Sequence, residues 1–486
     1  MPLFGPAHQT RHIMSTTGAG QQPGSSGWAA ISQTGQLGQF ALLCLGIWLH
    51  AADTLLVATA MPAAVAEIGG DRLVSWTLSL YLLGSIISAA AAALIASAVG
   101  LRRAFVIAAL IYTVGCAISA LAPNMPAMLL GRFGQGVGGG LLVALTYVAT
   151  QRLFPEEMWP RLIALMSAIW GASAFCGPMI GGFFADMGLW RWGFWTFAIQ
   201  AVLLAVLVPL FMRPTKGASE TAQRFPVVRL ALLSLAVLAV ATAGIYVTPG
   251  VSLPLVAAGA LLFYLFLKRD GSRATDKMFP TRAFDPRTVV GCGFIANLAL
   301  GTAIMSFTVY GPFFLQRIHG MSALGAGYVM AAEAVAWSTM AMVFAGVGAK
   351  GEVRVIKGGA LLIVLAIALL GPAMAEGPLS AIVLLSIAQG AGFGMMWGFL
   401  IRRVVAAAPV HERDSASAAM PTTQQIAFAL GAALSGIIAN LAGFAEAQTP
   451  AAMQPVAIWV FISFLPLAVL GAAAAWRLAR EVAAGD

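Results

Sequence analysis

The stretch Ile47-Trp-Leu-His-Ala-Ala-Asp-Thr-Leu-Leu-Val-Ala-Thr-Ala-Met-Pro62 decides how the rest of the chain is read. It lies in an apolar segment running from 38 to 68, and a helix needs only roughly 20 such residues to cross a bilayer. At a rise of ~1.5 Å per residue, Asp53 falls about 22 Å from the start of that segment, deep in hydrocarbon. A carboxyl there is costly unless it is protonated, paired or wetted, so it is a functional-site candidate. An acid that gains and loses a proton as its surroundings change can couple proton flow to another movement. The alternative is a carboxyl that only caps or pairs.

Composition extends this reading to the whole chain. Of 486 residues, 60% are hydrophobic and 9% charged, against about 25% charged in soluble domains, and the mean hydropathy is +0.89. This is the composition of an all-α integral membrane protein. Apolar stretches recur from end to end, and no nucleophile–base pair, phosphate loop or metal-ligand cluster stands out, so neither an enzyme nor a cofactor is expected. The net charge of +9 would suit nucleic acid, but the basic residues sit in short loops, where they set membrane orientation. Cys44, Cys116, Cys176 and Cys292 lie inside apolar segments without metal-type spacing, which argues against disulfides or zinc. Residues 1–37 are rich in Gly, Ser and Gln and carry His8 and His12. Lacking a compact apolar core with a cleavage site, they read as a disordered cytoplasmic tail.

Fourteen spans are expected, at roughly 38–68, 73–98, 103–122, 126–150, 160–183, 191–212, 229–247, 251–268, 288–316, 323–348, 356–375, 378–401, 415–442 and 455–476. The pair 229–247 and 251–268 is almost featureless, with six spans before it and six after. That predicts two six-helix bundles, 38–213 and 288–478, around an inserted hairpin with its linkers at 214–287, and a short tail at 479–486. Basic residues test the count. Of the 27, only Arg72, Arg191 and Arg317 fall on one side and Arg132 inside a span; the others alternate onto the opposite side, which makes both termini cytoplasmic. The loop 269–287 alternates basic residues with Asp; it either tethers the second bundle or is a solvated linker. Trp190 and Trp192 fit interfacial anchors.

Asp53 and Glu333 are the two well-buried acids and Arg132 the buried base, while Asp186 reads as interfacial. Arg132 lies in Gly131-Arg-Phe-Gly-Gln-Gly-Val-Gly-Gly-Gly140, whose small residues let other helices approach. It should meet Asp53, Gln135 or a water-filled cavity. His50, three residues before Asp53, shares its face and either relays a proton or is only wetted. In Tyr328-Val-Met-Ala-Ala-Glu-Ala-Val-Ala-Trp337, Glu333 and Trp337 share a face, which suits a cationic, lipophilic ligand. Glu333 could instead carry a second proton. Asn297, Tyr310, Gln389, Trp397 and Gln425 are further candidates to line a cavity, with helix-to-helix hydrogen bonds the alternative. In Trp170-Gly-Ala-Ser-Ala-Phe-Cys-Gly-Pro-Met-Ile-Gly-Gly182, Pro178 bends the helix and Gly177, Gly181 and Gly182 allow tight packing on the bend.

These segments together resemble the major facilitator superfamily, and within it the fourteen-helix drug:proton antiporter branch of the EmrB/QacA type. Asp53 through Pro62 looks like that branch's first-helix motif, and Arg132-x-x-Gln-Gly-x-Gly138 like its fourth-helix motif. Gly171 through Gly182 resembles the antiporter motif of the fifth helix, and Trp190-Arg-Trp192 with Phe194 the start of the sixth. Phe314-Leu-Gln316 with Ser322-Ala-Leu-x-Ala-Gly327 is similar to the opening of the second half. The resemblance spans about 38–476 and implies alternating access, with Asp53 and Arg132 in proton coupling. It also implies antiport of protons, with no cofactor beyond the proton gradient, against lipophilic toxic compounds.

The expectation is therefore a proton-coupled exporter in a bacterial-type inner membrane, favoured as a monomer, with small molecules, protons and lipid as its partners and no nucleic acid. The rivals are a transporter of one metabolite or siderophore, and a receptor or scaffold that has lost transport.

The sequence departs from the family between helices two and three. There the resemblance implies a gating loop with an acid and a base, but the chain reads Ala93-Leu-Ile-Ala-Ser97-Ala98-Val-Gly100-Leu-Arg102-Arg103. Gly100, Arg102 and Arg103 remain; the acid and the first base do not. Ala98→Arg alone should therefore leave inside/outside accessibility of introduced cysteines unchanged, because its acidic neighbour is missing. A clear shift in labelling would show that the base acts alone.

Overall fold

The computed structural model describes residues 36–155, 158–213, 226–246, 248–272 and 277–483. The tail expected over 1–37, with His8 and His12, falls outside the described residues but for its last two, and so do 214–225 of the first linker.

Helix dominates because a backbone in hydrocarbon must satisfy its own N–H and C=O groups. The first six helices are α1 (Gln36–Ile68), α2 (Val74–Val99), α3 (Leu101–Ala120), α4 (Met125–Leu153), α5 (Trp159–Asp186) and α6 (Trp190–Phe211). The inserted pair is α7 (Val227–Ala243) and α8 (Pro249–Gly271). The remaining helices are α9 (Val289–Arg317), α10 (Ala323–Phe344), α11 (Ala349–Glu376), α12 (Leu379–Ala407), α13 (Arg413–Leu441), α14 (Pro450–Ile462) and α15 (Leu465–Ala483). Among the described residues, 13 stretches are long and apolar enough to cross a membrane, and Val227–Ala243 is a shorter apolar helix.

Local sequence sets the helix boundaries. Asn124, Thr288, Ser322 and Thr449 each cap a helix by accepting an N–H from its first turn. Gly100, at φ 84, separates α2 from α3 in a conformation that side chains with a Cβ rarely adopt. The last expected span, 455–476, is one apolar run in two helices. Pro466, the second residue of α15, has no N–H to give the preceding turn, so the helix breaks at Ser463–Phe464.

Helices α1–α6 pack together, as do α9–α15, and the two sets meet chiefly through α5 on α10 and α2 on α13. The inserted α7 packs on α8, α13 and α2. Trp76 donates its indole N–H to the Ala241 carbonyl (3.1 Å), and Asn440 donates to the Gly244 carbonyl (2.7 Å), so the hairpin touches both sets.

The segment after α8 is tied down along 277–288. Asp270 pairs with Arg229 at 2.6 Å and accepts the amides of Met278 and Phe279. Phe279 and Phe284 join Phe263, Phe266 and Phe294 in one aromatic cluster. Glu412, in the turn between α12 and α13, accepts the amide (2.9 Å) and the hydroxyl of Thr281. Of the two sequence readings, the tether describes these residues.

Burial pushes the Glu412 carboxyl up, but the Thr281 hydrogen bonds and the Lys277 charge outweigh it and hold the group below the usual carboxylate range. A depressed folded value stabilises above the unfolded pKa of about 4.3 and loses that contribution as pH falls through the folded value. The protection factor for hydrogen exchange at the Thr281 amide, taken against its intrinsic rate at each pH, should thus be high at neutral pH and fall as pH drops below that range. Glu412→Gln should lower that protection factor already at pH 7.

Candidate functional site

The first site is built where α1, α2, α3 and α4 converge. Gly136 and Gly140 of α4 lie against the Tyr81 carbonyl and the Ser85 backbone of α2, where a Cβ would collide. Gly138 lies against Tyr112 of α3 in the same way. These close approaches seat Arg132 among side chains of all four helices, with neither it nor Asp53 exposed.

Arg132 Nη1 donates to Asp53 Oδ2 at 2.9 Å and to Gln135 Oε1 at 3.0 Å, and Nε donates to the Thr77 carbonyl at 3.3 Å. Gln135 Nε2 donates in turn to Asp53 Oδ1 at 3.4 Å and to Cys116 Sγ at 3.1 Å. Ser119 donates its hydroxyl to Gln135 Oε1 at 3.0 Å. The guanidinium lies 4.2 Å over the Tyr81 ring, and its Nη2 has no hydrogen-bond partner among the described residues. Tyr81 donates to the His50 carbonyl at 2.8 Å, and its oxygen lies 2.9 Å from His50 Nδ1. Both contacts are satisfied when Nδ1 carries the proton. His50 is buried, stacked on Tyr81 and edge-on to Trp170 of α5. Tyr112 donates to the Leu49 carbonyl at 2.9 Å. A void of about 20 Å³, bounded by Thr54, Thr77 and Thr308 among others, lies between α1, α2 and α9. That is room for one water beside Asp53's neighbour.

The second site joins α10 and α12. Gln389 Nε2 donates to Glu333 Oε1 at 2.7 Å. Trp337 packs on Phe393 with ring centroids 4.4 Å apart and planes tilted by 34°, and Trp397 follows at 5.8 Å from Phe393. Gly390 and Gly394 sit against the carbonyls of Glu333 and Trp337, which fixes the two helices close together.

The other sequence candidates fall elsewhere. Asn297 donates to the Met420 carbonyl at 2.9 Å and is buried between α9 and α13. Tyr310 sits in an aromatic group with Phe313, Phe314 and Phe444. Gln425 accepts a long contact, 3.5 Å, from Ser85 across the two sets. On α5, Gly171 approaches Ser338 of α10, Gly177 and Gly181 approach the Ala52 and Leu56 carbonyls of α1, and the Pro178 carbonyl accepts from Thr59 at 2.9 Å. Gly182 lies on Ala323 and Leu324 of α10. Arg102 reaches the Pro209 carbonyl at 3.5 Å, Arg103 is exposed, and Arg152 contacts Ser97 at 3.4 Å.

Sequence reading missed three things. Tyr81, Tyr112, Cys116 and Ser119 surround the ion pair, yet none carries a charge to draw attention. Phe393 was findable, since Gln389, Phe393 and Trp397 recur every fourth residue on one helix face. The polar ties between the two sets were also missed. Asp186 accepts the amides of Ala323 (2.7 Å) and Leu324 (3.0 Å), capping α10 from the end of α5. Arg317 pairs with Asp71 at 2.8 Å and Arg72 with Glu446 at 2.7 Å, while Asn440 donates to the Arg72 carbonyl. Arg72 draws the Glu446 carboxyl below its usual range through that hydrogen bond. These ties gather at the end that carries the α1–α2 turn.

The sequence profile of the Major Facilitator Superfamily matches residues 43–375. The chain belongs to that superfamily. A probable multidrug-efflux transporter of Mycobacterium tuberculosis (strain ATCC 25618 / H37Rv) is 30% identical over 457 residues, 91% of this chain and 94% of that protein. The multidrug transporter protein MdtP of Bacillus subtilis (strain 168) is 27% identical over 297 residues, 59% of this chain and 54% of its own length. The crystal structure of a D-xylose-proton symporter matches with a TM-score of 0.64 at 17% identity, over 91% of this chain and 97% of that one. A peptide transporter POT structure matches at 0.66 and 15%, over 91% and 95%. At such identities the solved structures bear on the fold alone. This is a multi-pass membrane transporter of small molecules.

The Asp186 cap holds the two sets together at one end, and an N-cap carboxylate contributes about 1 kcal/mol. Asp186→Ala should therefore lengthen and broaden the distance between spin labels at Met187 and Gln448. An unchanged distribution would remove the cap from that role.

Proposed function

We propose that this superfamily member is a proton-coupled antiporter that exports small lipophilic toxic compounds, cations among them, by alternating access. The observation that carries the proton part is the Asp53–Arg132–Gln135 cluster, wholly shielded from water. An ion pair without water is sensitive to any change in its surroundings, because removing one charge leaves the other uncompensated. Protonating Asp53 would free Arg132 to turn toward another partner, and the idle Nη2 already lacks one. A small void lined by Thr54, Thr77, Thr308 and six apolar residues lies toward the α1–α2 end, beside the residue that follows Asp53. Multidrug-efflux relatives favour export of toxic compounds.

By the distribution of basic residues, the α1–α2 end faces outward and the protein rests in an inner membrane with both termini cytoplasmic. The ties at that end then close the outward side. Asp53 loads from outside and discharges inward, while substrate leaves along the α5–α10 side past Glu333 and Trp337.

The test is a purified, reconstituted protein with an imposed pH gradient and a fluorescent lipophilic cation. Wild type should accumulate the cation against its gradient, and protonophore should abolish this. Asp53→Asn should elute as a folded, monodisperse species and lose uphill transport by at least tenfold. Uphill transport persisting in that variant would take Asp53 out of coupling. Flux of one metabolite but of no lipophilic cation would replace broad efflux with a single-substrate transporter.

A further inference from the structure

Glu333 and Gln389 do not satisfy each other. The amide gives one N–H to one carboxylate oxygen, at 2.7 Å. The Gln389 carbonyl is buried without a hydrogen-bond partner among the described residues, on a residue 1% exposed. The second carboxylate oxygen receives no donor among the described residues, and none of their ion pairs includes Glu333. The buried Gln389 carbonyl and one oxygen of the half-buried Glu333 carboxylate therefore lack protein donors within the same α10–α12 contact, among the described residues. The backbones cannot part to relieve this without losing close packing, because Gly390 and Gly394 sit against the Glu333 and Trp337 carbonyls.

A buried acceptor left unpaired costs about as much as a good hydrogen bond returns, so such a pair favours a ligand that brings N–H groups. One helical turn along, Trp337, Phe393 and Trp397 form a row of tilted aromatic rings that suits an aromatic body beside a cation. We infer that this site selects protonated primary and secondary amines on planar aromatic scaffolds over quaternary ammonium ions, and that Gln389 is the specificity-determining residue. The inference rests on reading Glu333 as the cation site. A quaternary ion matches the charge and the aromatic wall but donates to neither acceptor. Sites built to hydrogen-bond an N–H reject analogues that lack it far better than apolar pockets reject an extra methyl.

The experiment uses the full chain in detergent and four probes: naphthylmethylammonium and its N-methyl, N,N-dimethyl and N,N,N-trimethyl forms. Affinities are read by calorimetry for wild type, Gln389→Met and Glu333→Gln. In wild type the trimethyl ion should bind about tenfold more weakly than the primary amine, although it is the most apolar of the four. Gln389→Met should flatten the series by weakening the primary amine about tenfold, with the trimethyl ion within roughly twofold of wild type. Retained trimethyl binding also shows that the variant is folded, and the wild-type series needs no variant at all. Glu333→Gln should weaken all four. Equal or tighter trimethyl binding in wild type, with Glu333→Gln still weakening every member, would overturn the amine preference and leave the cation site standing. No binding by any member, or no effect of Glu333→Gln, would overturn the cation site and the inference with it.

Discussion

A guanidinium and a carboxylate sealed from water in hydrocarbon must be satisfied by their neighbours or give up their charge. The Asp53–Arg132 contact places that demand on four helices at once. Gln135 bridges the pair, the Thr77 carbonyl takes Nε, and the Tyr81 ring faces the guanidinium. Side chains can reach these positions only if α2 and α3 come close to α4, which explains why Gly136, Gly138 and Gly140 follow the arginine. Charge and glycine in this segment answer one constraint. Any methyl added at those glycines would move the neighbours that keep the arginine from being an isolated buried charge.

The same device serves two ends elsewhere. Between α10 and α12, glycine brings Glu333 and Trp337 against Gln389 and Phe393 within one set of helices, and the contact has no need to part. Between α5 and α10 the contact lies across the two sets and must come apart if the transporter is to change sides. There Gly182 and Gly327 give close packing of backbone on backbone, and the polar ties stand at the rim, where water reaches them. Exposed ion pairs contribute roughly 0–1 kcal/mol each. A handful of those can close one end without locking it.

Much of this was legible because hydrocarbon is an unforgiving solvent. Hydropathy marks the spans, the asymmetry of basic residues sets their count, and an acid and a base at matching depth point to each other. Arg132 meeting Asp53 and Gln135 follows from cost alone. What the sequence hides is lateral placement. Nothing in the order of residues brings Asp186 to the first turn of α10 or Arg317 to Asp71, because each tie depends on how two sets of helices sit in one conformation. Tyr81 and Tyr112 were hidden for another reason: aromatic hydroxyls in a span look like ordinary core until their partners are known. Pro466 was visible, but a break two residues from a helix start does not disturb hydropathy, so one span became two helices.

The weakened turn between α2 and α3 gains its meaning from the corresponding place in the second set. At the start of α11, buried Glu352 holds Arg402 at 2.6 Å and Arg403 at 2.7 Å from the end of α12. In the first set, among the described residues, Arg152 at the end of α4 reaches the Ser97 hydroxyl, at 3.4 Å, with alanine at position 98. A neutral, long hydrogen bond is far weaker than a charge-assisted pair with two arginines. One set is therefore clamped at this end and the other is not. With a carboxylate missing there, the charged ties at the α1–α2 end act without a counterpart from this turn. What joins the two sets at the α1–α2 end is then the Asp186 cap and the Asp71 and Glu446 ion pairs.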